Sequence, residues 1–191
     1  MNTVLTESYL EIIIGPMFSG KTSKIIELYK KYSFCNIPVL VINHSFDKRY
    51  TNDDTILSTH DKQVIPCIST QTISDIITHE NLTKFNVILI NEGQFFEDID
   101  TAVRDLVEKY NKTVYVCGLD GDFERKKFGK LLDLIPIADN IVKLHSLCFN
   151  CKNGTKAPFT CRVTNETEQT LIGSDNYIPL CRKCYSCKFA K

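Results

Sequence analysis

Three groups of residues have the types and spacing that chemistry needs. The first is Gly15-Pro16-Met17-Phe18-Ser19-Gly20-Lys21-Thr22, which fits the pattern G-x-x-x-x-G-K-[ST]. Glycines at these places let backbone N–H groups turn toward phosphate oxygens at the positive end of a helix dipole. Lys21 supplies a point charge for β- and γ-phosphates, and Thr22 a hydroxyl ligand for Mg²⁺. The second group is Asn91-Glu92, at the end of the apolar run Phe85–Ile90. A carboxylate closing a strand sits beside metal and γ-phosphate in nucleotide-binding sheets, and Glu92 there can take a proton from an attacking hydroxyl. Asn91 occupies the usual aspartate position; its amide can orient a metal-bound water but brings no negative charge. The third group is Cys148-x-x-Cys151 and Cys181-x-x-Cys184, a spacing that suits a closed tetrahedral Zn²⁺ site.

Each group also has a plainer reading: a chance Gly-rich turn, an exposed turn glutamate, four unligated thiols. Context favours the chemical ones. The Gly-rich segment follows an apolar β-branched run and precedes a helical one, and two cysteine pairs are a stronger signal than one. Cys187 extends the second pair to C-x₂-C-x₂-C, which leaves open whether it can replace a ligand.

The elements that must position these groups alternate. Strands are predicted at Leu10–Ile14, Val39–Asn43, Val64–Ile68, Phe85–Ile90 and Val114–Gly118, and helices at Gly20–Tyr32, Thr72–His79 and Asp98–Tyr110. A shorter helix is predicted at Leu131–Leu134, ended by Pro136. Short apolar strands alternating with helices imply an α/β fold, a P-loop NTPase-like parallel sheet flanked by helices. From Cys148 onward turns replace periodicity, so a domain boundary is placed near Val142–His145, giving domains 1–145 and 146–191. Residues 152–180 read as a long loop with little regular structure, a lid or binding segment whose feet a metal would fix.

Bulk properties exclude several classes. Basic and acidic residues balance at 23 each, so no sequence-wide field attracts nucleic acid or an anionic membrane. No apolar run approaches the ~20 residues of a membrane span. The first residues read as a strand rather than a signal peptide, so the cytoplasm is the expected compartment, and nine cysteines there point to metal rather than disulfides.

Taken together, these residues resemble the type II thymidine kinases, from about Leu10 to Tyr185. The resemblance rests on Gly15–Lys21, Asp47-Lys48-Arg49-Tyr50, Thr59-His60-Asp61 and Glu92-Gly93-Gln94-Phe95-Phe96. It continues through Leu119–Lys126, the stretch from Ile172-Gly173 to Tyr177, and the paired cysteines. It implies ATP-dependent phosphorylation of the 5′-hydroxyl of thymidine, and of deoxyuridine as well, in pyrimidine deoxynucleotide salvage. Glu92 would be the catalytic base. ATP and its Mg²⁺ would lie on Gly15–Thr22 with Asp47, Arg49, Asn91 and Gln94. The thymine pocket would take Met17, Leu119, Phe123 and Phe128 from the core. Thr160, Gln169, Thr170, Leu171, Ile172, Gly173 and Tyr177 would come from a lasso loop above a small zinc-ribbon domain. The resemblance further implies a homotetramer, dTTP as feedback inhibitor, no nucleic-acid or membrane partner, and the host cytoplasm for a viral member. Asn91 departs from the pattern and would weaken Mg²⁺ affinity, leaving more of the metal work to Asp47 or Thr22.

Two other classes stay open at this stage. One is a P-loop ATPase or GTPase with a structural zinc ribbon, although Asn111-Lys112-Thr113-Val114 lacks the aspartate of a guanine-reading motif. The other is a zinc-ribbon nucleic-acid binder, which formal neutrality disfavours.

Overall fold

The computed structural model describes residues 7–47, 55–59, 61–171, 173 and 175–189. Twelve strands are described: β1 Tyr9–Ile14, β2 Val39–His44, β3 Ile56–Ser58, β4 Val64–Pro66, β5 Ile68–Thr70, β6 Val87–Ile90, β7 Thr113–Gly118, β8 Asn140–Lys143, β9 Ser146–Leu147, β10 Lys156–Ala157, β11 Phe159–Arg162 and β12 Tyr177–Leu180. Six of them form one sheet in the order β5-β2-β6-β7-β1-β8, every pair parallel. This is the α/β sheet that the alternating pattern implies.

The two-residue period of a strand sorts its side chains onto two faces. Leu10, Ile12, Ile88, Ile90, Val114 and Val116 fall into one core cluster; Ile13, Val87, Leu89, Tyr115 and Cys117 fall into the other. Helix α1 (Lys21–Phe34) covers the second face with Ile25, Ile26 and Leu28. The first face is covered by α3 (Ile99–Arg104), the π turn Asp105–Lys109 that continues it, and the 3₁₀ segment Leu131–Ile137. Each fully buried Ile, Leu or Val contributes about 1.5–3 kcal/mol relative to exposure, so the sheet holds its carboxyl ends rigidly. Those ends carry the Gly-rich loop after β1, Asp47 beyond β2, Asn91-Glu92 after β6 and Leu119 after β7, the edge where open α/β sheets place ligands.

Several sequence expectations need correction. The single strand at Val64–Ile68 is two: β4 pairs antiparallel with β3, the chain turns at Cys67, and β5 joins the main sheet. Pro66 has no N–H to continue a ladder, and only Ile65 of β4 is buried. In place of a helix over Thr72–His79 there is a 3₁₀ turn, Ser74–Ile76, and α2 begins at His79. Thr78 is extended there and its hydroxyl accepts the Asn81 N–H as an N-cap. Pro136 does not end its helix but stands next to last in the seven-residue 3₁₀ run, where its missing N–H costs a single bond. The sheet gains an edge strand, β8, that the reading lacked.

The C-terminal lobe has its own small core, in which Ala157, Cys161, Leu180 and Tyr185 pack around the paired cysteines. Here too the expectation of a long loop with little regular structure over 152–180 is corrected. Strand β10 pairs with β9 and β11 with β12, before the short helix α4 (Arg182–Phe189). No described helix is long and apolar enough to cross a membrane.

Candidate active site

The Gly-rich loop begins where β1 ends. Phe18 and Gly20 take left-handed φ values of 62° and 85°, which bend the chain before α1. A Cβ on Gly15 would come within 2.7 Å of the Leu144 carbonyl oxygen, so the loop passes too close to the strand behind it for any side chain. Lys21 Nζ donates to the Pro16 carbonyl at 2.7 Å, and Ser19 Oγ donates to the same oxygen at 2.8 Å. Residues Met17–Ser23 line a cavity of about 280 Å³, closed on the far side by Thr59, Asp61, Glu92 and Leu119. Thr59 and Asp61 were quoted in the resemblance without a role, and only the fold brings them opposite the phosphate loop.

Glu92 leaves β6 with a left-handed φ of 55°, an uncommon conformation for a side chain of its size. Only 4% of it is exposed. Gln94 Nε2 donates to Glu92 Oε2 at 2.6 Å, while Gln94 Oε1 accepts the Leu119 N–H at 2.9 Å. Both ends of the Gln94 amide are thereby used to hold the carboxylate against the end of β7. The sequence reading placed Gln94 with the phosphates, and nothing in the local spacing signals this clamp.

Asn91 is almost fully buried; its Nδ2 donates to Asn43 Oδ1 at 2.9 Å, and Asn43 Nδ2 reaches Asp47 Oδ2 at 3.4 Å. Asn91 Oδ1 is buried with no hydrogen-bond partner. An orphaned acceptor, the Asp47 carboxylate and the Thr22 hydroxyl are hard oxygen donors, the chemistry that suits a partly hydrated Mg²⁺.

A second pocket shares Met17, Glu92 and Leu119 with the phosphate cavity. Its apolar walls are Met17, Phe46, Phe95, Leu119, Phe123 and Phe128, with Phe95 and Phe128 edge to face at 5.5 Å. Its outer wall is Thr160, Gln169, Thr170, Leu171, Gly173 and Tyr177, and Asp47 and Asp122 also line it. The structure thus brings together every described residue that the resemblance assigned to the base. Arg49 and Ile172 lie outside the described residues. Phe46 was missed, and Phe95 and Asp122 had been quoted without a role.

Polar contacts tie the outer wall to the core. Met17 N–H donates to Thr160 Oγ1 at 2.9 Å, Gln169 Nε2 to Asp122 Oδ2 at 2.7 Å, and Tyr185 OH to the Phe123 carbonyl at 2.6 Å. Arg125 lies over the rings of Tyr185 and Phe159 at 4.4 and 5.4 Å.

Beneath this wall the sulfurs of Cys148, Cys151, Cys181 and Cys184 all lie within 4.8 Å of one another. Cys151 Sγ is 3.5 Å from Cys184 Sγ and 3.8 Å from Cys181 Sγ. Four Zn–S bonds of about 2.3 Å in a tetrahedron set S···S distances near ~3.8 Å, so the donor set fits zinc. Burial opposes ionisation of Cys148, but the backbone amides of Cys181, Cys151 and Asn150 outweigh it and bring this thiol down to about 6. Cys161 and Cys187 lie outside the cluster.

A parallel sheet with a phosphate loop at its carboxyl edge, a held carboxylate between phosphate cavity and apolar pocket, and a tetrathiol lobe define a P-loop phosphotransferase with a zinc-ribbon appendage. The family model described as Thymidine kinase matches residues 8–185. Thymidine kinase 1 of Dictyostelium discoideum is 39% identical over 180 residues, covering 93% of this chain and 77% of that protein. The thymidine kinases of sheeppox virus and vaccinia virus (strain Western Reserve) are 36% and 39% identical over 178 residues, covering 93% of this chain and 96% of theirs. The chain belongs to the thymidine kinase family, whose members are phosphotransferases.

Proposed function

We propose that the protein transfers the γ-phosphoryl group of ATP to the 5′-hydroxyl of thymidine, giving dTMP and ADP. Deoxyuridine is a second substrate on this reading, and the product enters pyrimidine deoxynucleotide salvage. The observation that carries the proposal is the position of Glu92, on the wall shared by phosphate cavity and apolar pocket. A nucleoside whose base lies among Phe95, Phe123 and Phe128 directs its sugar toward that carboxylate and the phosphate loop.

In the reaction Glu92 takes the 5′-hydroxyl proton as the oxygen attacks phosphorus, and the bond from γ-phosphorus to the bridging oxygen breaks to release ADP. Backbone amides of the Gly-rich loop and the Lys21 ammonium offset charge on the phosphates. Thr22, Asp47 and Asn91 would hold Mg²⁺, which would supply positive charge to offset that developing on the phosphates. Cys148, Cys151, Cys181 and Cys184 would hold Zn²⁺ in a structural role, away from the reacting atoms. The pocket excludes water, so transfer prevails over hydrolysis. On the same reading residues 1–145 bind nucleotide, residues 146–191 carry the lasso, the assembly is a homotetramer, and dTTP inhibits it.

The test is incubation of zinc-replete protein with γ-labelled ATP and Mg²⁺, alone and with each of five deoxynucleosides. Labelled monophosphate from thymidine, and from deoxyuridine, with little phosphate release in their absence is the expected result. Phosphate release independent of nucleoside, with no labelled nucleotide, would make the protein an ATPase instead.

A further inference from the structure

Arg162 ends β11 with only 3% of its surface exposed. A buried guanidinium is costly unless its protons are used, and among the described residues no carboxylate forms an ion pair with it. Its Nε is buried without a hydrogen-bond partner, while both Nη atoms donate to oxygens of the chain that follows it. Nη1 donates to the carbonyls of Glu166 and Glu168 at 2.8 and 2.6 Å. Nη2 donates to the Gln169 carbonyl at 3.2 Å and to Tyr177 OH at 2.7 Å. Its Cζ lies over the Phe123 ring, 3.8 Å from the centroid.

The register explains why this arginine can gather a loop. Arg162 and Tyr177 are direct partners across β11 and β12, and Val163 N–H donates to the Asn176 carbonyl just beyond them. The segment 163–176 therefore leaves and re-enters the lobe at one point, with Arg162 at its neck. Tyr177 OH accepts from Arg162 and donates to the Leu171 carbonyl at 3.2 Å, extending the hold by two residues. One guanidinium and one phenol thus fix the carbonyls of 166, 168, 169 and 171, immediately around the residues that line the pocket.

We infer that Arg162 is the positioning residue that sets the shape of the nucleoside-reading loop and couples it to the core wall through Phe123, an inference that rests on the nucleoside reading of the pocket. It touches neither the proposed substrate nor the phosphates. Its work is to present the backbone of 166–171 in one arrangement, so that the cost of ordering this stretch is met before the nucleoside arrives. Lysine cannot replace it, because an ammonium neither fans four hydrogen bonds in a plane nor stacks flat on a ring.

The experiment compares wild type with Arg162→Lys, Arg162→Gln and Tyr177→Phe. It measures KM for thymidine and for ATP, equilibrium dialysis with labelled thymidine, zinc content, and amide hydrogen exchange over 166–171. Both arginine variants are expected to raise the thymidine KM roughly 10- to 100-fold, with kcat and the ATP KM held within about threefold. Exchange over 166–171 should accelerate while zinc stays stoichiometric. Tyr177→Phe, which deletes only the shared hydroxyl, should raise the thymidine KM less and loosen Leu171 most.

An unchanged thymidine KM in Arg162→Gln, or an ATP KM rising in step with it, would overturn the inference. If the arginine variants lose zinc, Tyr177→Phe decides: unaltered KM together with unaltered exchange at Leu171 overturns it. If wild type itself binds no thymidine, the nucleoside reading has failed. The exchange rates then still decide whether Arg162 holds the loop.

Discussion

The two walls of the apolar pocket are built on different principles. The inner wall, with the phosphate loop and Glu92, stands on the carboxyl ends of β1, β2, β6 and β7, strands buried on both faces by two separate clusters. The outer wall hangs from two short hairpins and four sulfurs, and a single arginine gathers its carbonyls. Groups that handle charge need fixed positions within tenths of an ångström, and a sheet supplies them. Groups that read a substrate can be carried outside the sheet, provided side chains hold their backbone in place beforehand. On the proposed function, the reacting groups thus stand on the sheet and the base-reading groups on a segment restrained at its feet.

The sharpest way to separate the walls is to damage one function of each. Glu92→Gln keeps size and hydrogen-bonding capacity but removes the base. It should lower kcat by about 10²- to 10⁴-fold and leave thymidine and ATP binding nearly unchanged. Single-turnover transfer from labelled ATP, beside dialysis with each ligand, reads both quantities. Near wild-type transfer would remove Glu92 from the chemistry.

Zinc removal is the complementary damage and the next largest effect. Chelation, or Cys184→Ser, should weaken thymidine binding roughly 100-fold while ATP affinity stays within about twofold, because the phosphate loop stands on the sheet. Calorimetry with a non-hydrolysable ATP analogue and with thymidine distinguishes the two. If both affinities collapse together, the walls are one cooperative unit and the contrast drawn above is wrong. Met17 N–H to Thr160 Oγ1 is the contact through which such a collapse would spread.

The inner wall has its own fine structure, which Gly118→Ala probes. A Cβ there would lie 2.6 Å from Gln94 Oε1 and 2.5 Å from Leu131 Cδ2. Gln94 must then give up the Leu119 N–H or its grip on Glu92. Overpacking of this kind costs about 1–3 kcal/mol of stability, and kcat should drop roughly tenfold with little change in either KM. Melting temperature and steady-state rates give the comparison. Unaltered kcat would mean that Glu92 holds its left-handed conformation without the clamp.

The same contrast governs what the sequence reveals. Gly15–Thr22, Glu92 and the cysteine pairs are legible because each obeys a local rule about neighbours a few residues apart. Long apolar strands such as β1 and β7 are legible for the same reason. Strand β8 is not: Asn140–Lys143 is mostly exposed, and only its register with β1 makes it a strand. Val64–Ile68 looks continuous by composition, yet the partners of its two halves are different strands. Arg162 carries no local signal, since its contacts are carbonyls up to seven residues away and a ring 39 positions earlier. Gln94 was placed beside the phosphates on resemblance; its hydrogen bonds to Glu92 and to the Leu119 N–H come from the fold and have no local signal.

The smallest predicted effect concerns the core side of the pocket and acid. His44, at the end of β2, is 3% exposed and packs against Phe46, Phe95 and Phe96. Burial pushes its pKa below the ordinary value of 6.5, although the charges of Glu92 and Asp98 and the Gln71 backbone pull the other way. Its Nδ1 accepts the Phe46 N–H at 3.1 Å, which requires that nitrogen to be unprotonated. The unfolded chain therefore binds a proton more readily than the folded one, and stability rises with pH across this window. The contribution is complete above about 6.5 and is lost as pH falls from there through the folded pKa. Losing the Phe46 bond costs about 0.5–1.5 kcal/mol. Melting curves of wild type and His44→Gln between neutral pH and pH 5 should diverge, with the variant flatter. Zinc-indicator dye in the same samples separates this slope from thiol protonation: only points at which zinc remains bound report on His44. Parallel curves over those points would show that acid sensitivity belongs to the thiol lobe alone, and that the sheet-borne wall is indifferent to pH.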